Sequence, residues 1–338
     1  MAPAPSWCCA PIIEEMTDQT PVTLQADLAP RAKRSLVLPN PVMVASGTFG
    51  YGTEFKAFDV QRLGALVTKT TTLSPRRGNI PQRIAETPAG MLNSIGLQNV
   101  GISALVRDLA PVYATWKAPV IASIMGFTVG EYAEVASRLE GIEGFAGIEL
   151  NLSCPNTERG GIEFGQDPAS AADAVRRVTR ATTLPVIAKL TPNVTDPLPV
   201  ARAVVEAGAD ALCCGNTLVG MAMNTERGRP VIGNTVAGLS GPALKPIALR
   251  VVYQVAGAVD VPIIGCGGIS TAQDALEFLQ AGASAVQIGT ATFANPLAPM
   301  DVLEGIEAYC RARGIDDVCR LVGAGRAHPM ARAAIAVK

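Results

Sequence analysis

Apolar residues in this chain fall into short, nearly continuous runs. Three open on or beside proline: "APVIASIMG" (118–126), "LPVIAKLTP" (184–192) and "VPIIGCGG" (261–268). Four follow a small-residue turn: "LGALVTKTTT" (63–72), "FAGIELNLSC" (145–154), "AGADALCCGNT" (207–217) and "AGASAVQIGT" (281–290). "PVMVASGTFG" (41–50) brings the total to eight. A run without polar–apolar alternation fits a parallel strand covered on both faces. Between most of the runs lie segments with apolar residues at helical spacing, among them "DPASAADAVRRVTRAT", "DPLPVARAVVEAG" and "STAQDALEFLQAG". Pro168 and Pro197 suit first-turn positions, and Gly208 and Gly282 suit helix C-caps. Strands alternating with helices predict an α/β chain folded as a single (β/α)8 TIM barrel. A doubly wound open sheet is the second reading, weakened because no GxGxxG opens a first helix.

Two Gly/Pro-rich stretches interrupt the alternation, 71–100 after the second strand and 218–246 after the sixth. Insertions placed after barrel strands lie at the C-terminal face, where active sites are built. The expected division is a loose, Pro-rich arm over 1–24, the barrel over 25–312, and a C-terminal helix or tail over 313–338.

Composition narrows the functions open to such a barrel. With 338 residues, 49% of them hydrophobic, the chain can bury a large core. A net charge of -1 provides no basic field for nucleic acid or an anionic membrane. No apolar run is long enough to span a bilayer, and "MAPAPSWCCAPIIEEM" lacks the apolar region of a signal peptide. The eight cysteines include no CxxC pair, so they read as reduced thiols of a cytoplasmic protein, and no group of four suits an iron–sulfur cluster. His328 is the only histidine. That excludes a multi-histidine metal site, and a Ser-His-Asp triad unless the tail folds back. No metal is expected.

Polar residues collect at the strand tips: Ser46-Gly47, Lys69-Thr70, Ser123, Asn151 with Cys154, Lys189, Asn216-Thr217, Gly267-Gly268 and Gly289-Thr290. One such tip alone reads as a helix cap. Lysine is seldom buried without a partner, so Lys69 and Lys189 on one rim point to a bound anion or an electron-rich ligand. Snorkelling of both to solvent is the plainer alternative. The glycines ending the last two strands let backbone amides approach a phosphate, though glycine turns also arise for steric reasons. Phosphate beside lysines fits a mononucleotide such as FMN, whose anionic reduced ring a lysine would stabilise. Cys154 has three readings: a structural thiol, a nucleophile, or a general base. With His328 the sole histidine, the base requires the least. "PNTERGG" after it reads as a lid.

Taken in order from about Gln25 to Cys310, "NPVMVASGTFG", "VTKTTT", "ETPAGMLNSIGLQN", "ELNLSCPNTERGG", "AKLTPNVTD", "GNTLVGMAMNTERGRP", "GLSGPALKPIALR", "IIGCGGI" and "SAVQIGTA" resemble the dihydroorotate dehydrogenases. "NLSCPN" resembles class 1, which uses cysteine as base, and "ETPAGMLNSIGLQN" looks most like class 1B. The resemblance implies FMN-dependent oxidation of (S)-dihydroorotate to orotate in pyrimidine biosynthesis. Electrons would pass to NAD through a partner subunit carrying FAD and a [2Fe-2S] cluster, with fumarate as the alternative acceptor. A homodimer core and a heterotetramer are implied. Cys154 would take the proton. Lys69, Asn93, Ser94, Ile95, Gly96, Leu97, Asn151, Asn216 and Thr217 would bind the pyrimidine. Ser46, Lys69, Thr70, Ser123, Asn151, Lys189, Gly215, Gly241, Gly267, Gly268, Gly289 and Thr290 would hold FMN. Ser123 departs from an expected asparagine, and Gly215 from an expected bulky aliphatic residue. Other readings are an FMN barrel acting on other dihydropyrimidines, a Schiff-base aldolase built on Lys69 or Lys189, and a non-catalytic binding subunit.

Overall fold

Each of the eight apolar runs contains one parallel strand, and the strands hydrogen-bond in chain order into a closed ring. The computed structural model describes residues 21–153 and 163–326. The barrel strands are β1 (Val42–Val44), β2 (Ala65–Val67), β3 (Val120–Ile124), β4 (Gly147–Asn151), β5 (Val186–Leu190), β6 (Ala211–Cys214), β7 (Ile263–Cys266) and β8 (Ala285–Ile288). The ring closes where Gln287 of β8 pairs with Met43 of β1. Closure leaves no exposed strand edge in the ring and puts all eight C-terminal tips on one rim.

Alternation, invisible in the sequence, is restored by the ring. Met43, Ile121, Ile187, Cys213, Ile264 and Ala285 face inward and pack together. Below them Leu28, Leu36 and Leu38 plug the barrel, carried by the antiparallel pair Ala26–Asp27 and Val37–Leu38. Val42, Val44, Val120, Ala122, Val186, Leu212 and Val286 face outward into the main core shared with the helices.

The helices begin and end on local chemistry. Thr128 accepts from the Glu131 amide and caps Val129–Ser137, and Asp167 accepts from the Ser170 amide and caps Pro168–Ala181. Thr271 and Asp274 form a capping box on Ala272–Ala281. Pro168 is in the first turn as predicted. Pro197 is the cap of Leu198–Glu206, one place earlier than predicted. Gly282 is a C-cap at φ +122°, while Gly208, at φ +104°, follows the cap Ala207. The connection after β1 contains no α-helix, only a 3-10 turn at Val60–Arg62. Ala298–Ala312 packs against β1 in its stead.

The two insertions meet. Ile84–Thr87 and Gly90–Asn93 from the first join Ala237–Ser240 and Leu218–Gly220 from the second in one four-stranded antiparallel sheet. Asn93 pairs with Gly238 and Leu92 with Leu239, over a small core of Leu92, Ile232 and Ala237. Among the described residues no helix is long and apolar enough to cross a membrane.

Phe278 is fully buried, and its ring lies where a side chain on Gly265 of β7 would have to go, 2.4 Å from an ideal Cβ. Phe278→Ala should therefore cost roughly 3–5 kcal/mol of stability. Urea unfolding checks this, as a lower midpoint at unchanged slope.

Candidate functional site

Among the described residues, two of the cavities on the C-terminal rim share a wall. The first, of about 560 Å³, lies over β5 to β8 and is lined by Ser46, Lys189, Asn216, Thr217, Gly241, Gly267, Gly268, Gly289 and Thr290, among others. The second, of about 1080 Å³, extends under the inserted sheet. Ser46, Lys69, Thr70, Asn93, Ser94, Ile95, Gly96, Leu97, Asn151, Asn216, Thr217 and Thr290 line it. Ser46, Asn216, Thr217 and Thr290 belong to both, together with Thr48 and Ser240. The two are one continuous cleft.

The floor of the first cavity is bare backbone. Gly267 and Gly268 after β7 have φ +129° and +75°, and Gly241 has φ +101°. A Cβ on Gly268 would lie 2.5 Å from the Lys245 amide nitrogen, and one on Gly241 2.6 Å from the Gly90 Cα. No side chain fits there, so amides of the turns form the wall, the arrangement that receives a phosphate. Thr290 Oγ1 donates to Ser240 Oγ (2.8 Å) beside them. Lys245 is turned to Asp274 (2.7 Å) and Glu277 (3.0 Å), pinning the helix after β6 to the one after β7.

The second cavity is lined by amides and hydroxyls. Asn216 Nδ2 donates to Ser153 Oγ (2.8 Å) and Asn151 Oδ1 (3.3 Å), linking the tips of β4 and β6. Asn93 Nδ2 donates to the Gly238 carbonyl (3.2 Å), tying the two insertions together. Asn193, which sequence reading passed over, holds the loop after β6. Its Nδ2 donates to the Thr217 carbonyl and its Oδ1 accepts from the Val219 amide. Lys69 has no carboxylate within ion-pair distance among the described residues, and burial pushes its ammonium below the usual lysine range.

Three of the expected residues have surroundings that spacing alone does not show. Lys189, read as a buried cation awaiting an anion, is already paired inside the barrel. Its Nζ lies 3.4 Å from Glu149 Oε1 and donates to Gln287 Oε1 (2.7 Å). Both partners sit within apolar runs that disguise them. Ser123 and Gly215, expected against the cofactor, line neither cavity. Ser123 is fully buried, and its hydroxyl is bonded to Thr70 Oγ1 (2.9 Å), which in turn is bonded to Ser46 Oγ (2.9 Å). It is reached from the cleft only through that chain. Gly215 is glycine because a Cβ would lie 1.7 Å from the Cys266 carbonyl oxygen, where the ends of β6 and β7 crowd. Cys154, Asn156 and the Thr157–Gly161 loop lie outside the described residues, as does His328.

The family model for dihydroorotate dehydrogenase matches residues 33–309, which include all eight barrel strands and every residue lining the cleft. The chain belongs to the dihydroorotate dehydrogenase family. Several relatives are named dihydroorotate dehydrogenase B (NAD(+)), catalytic subunit. That of Trichlorobacter lovleyi is 55% identical over 291 residues, covering 86% of this chain and 96% of the relative. That of Desulforudis audaxviator is 55% identical over 290 residues, 86% and 94% of the two chains. That of Desulforamulus reducens is 52% identical over 286 residues, 84% and 94%. The class 1B resemblance seen in "ETPAGMLNSIGLQN" agrees with these names, and a dihydroorotate dehydrogenase is an oxidoreductase.

The hydroxyl chain behind this dihydroorotate dehydrogenase cleft is testable. Thr70→Val removes both bonds and leaves the buried Ser123 hydroxyl without a partner. Stability should fall by about 1–3 kcal/mol, measured by urea unfolding; an unchanged midpoint would show that the chain carries no weight.

Proposed function

We propose that this protein oxidises (S)-dihydroorotate to orotate, in pyrimidine biosynthesis, with FMN held in the first cavity and the pyrimidine in the second. The supporting observation is the shared wall. An amide cradle suited to phosphate and an asparagine-rich chamber suited to a cyclic imide open into one another across Ser46, Asn216, Thr217 and Thr290.

FMN fits the residues present. The glycines at 241, 267 and 268 leave an amide wall that no side chain obstructs, and Gly289 and Thr290 continue it from β8. Lys189 enters the same cavity from the barrel interior as a cation for the ring's pyrimidine edge. Ser46 and Thr70, joined by their hydrogen bond, line the passage between the chambers. When bound, FMN supplies the acceptor for the hydride that leaves carbon 6 of the substrate.

The chain supplies the rest. Asn93, Asn151 and Asn216 carry both donors and acceptors, matching an amide edge that offers both. The amides of Ser94 to Leu97 line the same chamber. Lys69 stands between the two ligands, its ammonium, which has no carboxylate partner among the described residues, available to a substrate carboxylate. Cys154, just beyond β4, takes the proton from carbon 5, so the proton and hydride losses leave a double bond between carbons 5 and 6. Asn216 fixes Ser153 immediately before it. Electrons then leave through a partner subunit bearing FAD and a [2Fe-2S] cluster for NAD, in a cytoplasmic heterotetramer built on a homodimer. The names of the relatives, catalytic subunits of an NAD(+) enzyme, support this route.

Cys154→Ala should retain FMN and lose turnover steeply, by about a hundredfold or more for loss of a general base. In the parent the rate should rise with pH as the thiol ionises, levelling above about 8.5. Orotate formation and FMN content measured on the same preparations check this. A parent that binds no flavin overturns the cofactor assignment, and a fully active Cys154→Ala overturns the base.

A further inference from the structure

Two residues that touch neither cavity bear on Lys189, which enters the first from below. Glu149 on β4 and Gln287 on β8 are fully buried. Gln287 bridges the pair: its Oε1 accepts from Lys189 Nζ at 2.7 Å while its Nε2 donates to Glu149 Oε2 at 2.6 Å. Lys189 Nζ is 3.4 Å from the other carboxylate oxygen, Glu149 Oε1. The amide cannot turn over, because that would set its NH2 against an ammonium and its oxygen against a carboxylate. Three strands are thereby tied at one point inside the ring.

Fold stability does not account for this cluster. A buried ion pair is commonly no better than apolar side chains of similar volume, and the layer beneath is filled by Met43, Ile121, Ile187 and Ile264. Lys189 lines the first cavity. We propose that Glu149 and Gln287 are positioning residues that hold Lys189 as a fixed cation on the wall of the cofactor cavity. Its effect on FMN rests on the function proposed above; the charge itself does not.

The other groups facing Lys189 are the thiols of Cys213 and Cys266. Burial works against the ammonium, but Cys213, Glu149 and Cys266 together raise it above its usual range. Cys213 donates to Gln287 Oε1 (3.4 Å), and burial pushes its own thiol up. Cys213 and the Lys189 ammonium beside it draw the buried Cys266 thiol below its usual range, so Cys266 is the neighbour able to replace a lost carboxylate as counter-ion. The test is therefore run in a Cys266→Ala background.

In that background, melting temperature is followed from about pH 7 to about pH 10 with and without Glu149→Gln. With Glu149 present the folded-state value of Lys189 is raised, so its contribution stays complete up to the unfolded value near 10.4. Without Glu149, burial lowers the folded value, and the penalty is largest at neutral pH and shrinks as pH approaches the unfolded value. The gap between the two proteins should narrow as pH rises; no gap, or a gap constant with pH, overturns the proposal. Should Glu149→Gln fail to fold, the double variant Glu149→Met/Lys189→Met decides. Folding of the double variant supports the charge pair, and its failure overturns it.

A second readout addresses the cofactor. In the FMN-loaded protein, the pH dependence of the midpoint potential counts protons taken up per two electrons. The count should be one in the parent and rise to two in Glu149→Gln, where Lys189 binds a proton on reduction; an unchanged count overturns the fixed cation. A parent that holds no FMN but shows the narrowing melting gap removes the proposed function and leaves the charge assignment standing.

Discussion

Everything in this molecule depends on eight short parallel strands closing on themselves. None exceeds five residues, too little to be stable as an isolated ribbon. Closure pairs every strand on both sides and creates an interior that side chains must fill. The lower part is filled by apolar residues and by the hairpin plug of Leu28, Leu36 and Leu38. The upper part is not: Ser123, Glu149, Lys189 and Gln287 sit there fully or nearly fully buried. Buried polar groups are tolerated when each has a partner, and these do. The result is a rigid polar layer directly beneath the cleft.

The cleft owes its depth to a second closure. The insertions after β2 and β6 lie far apart in sequence, yet they form one sheet whose central pairing is Asn93 to Gly238. That sheet roofs the second cavity and places the Ser94–Leu97 backbone opposite the strand tips. Neither insertion could do so alone, because each contributes two strands to a four-stranded sheet. The barrel rim supplies the charged and amide floor, and the sheet supplies the roof.

Much of this was legible in the residues. Apolar runs of strand length, bounded by proline or small residues, located all eight strands, because a strand covered on both faces needs apolar residues on both. The same property hid which residues point inward, so Glu149 and Gln287 passed unnoticed inside "GIELNL" and "AVQIGT". Lys189 was conspicuous by its charge, but its partners come from strands that neighbour it only once the ring closes. Ser123 and Gly215 are expected beside the cofactor on the family resemblance alone, each as a departure from the residue type expected there. The difference between the wall of a cleft and the layer behind it is a matter of a single side chain's direction, which spacing does not reveal. The pairing of the insertions was equally hidden, being a long-range register with no local mark. The family was the easier reading, since nine motifs in order carry it, and it agrees with a match over residues 33–309.

The central claim is that the cleft moves electrons from dihydroorotate to a flavin held by this chain. Anaerobic mixing of the purified protein with dihydroorotate, with no other acceptor present, tests it most directly. The account predicts that the yellow flavin absorbance is bleached as orotate appears in equal amount, and that dihydrouracil, lacking the carboxylate, leaves it unchanged. A flavin that dithionite reduces but dihydroorotate does not would contradict it.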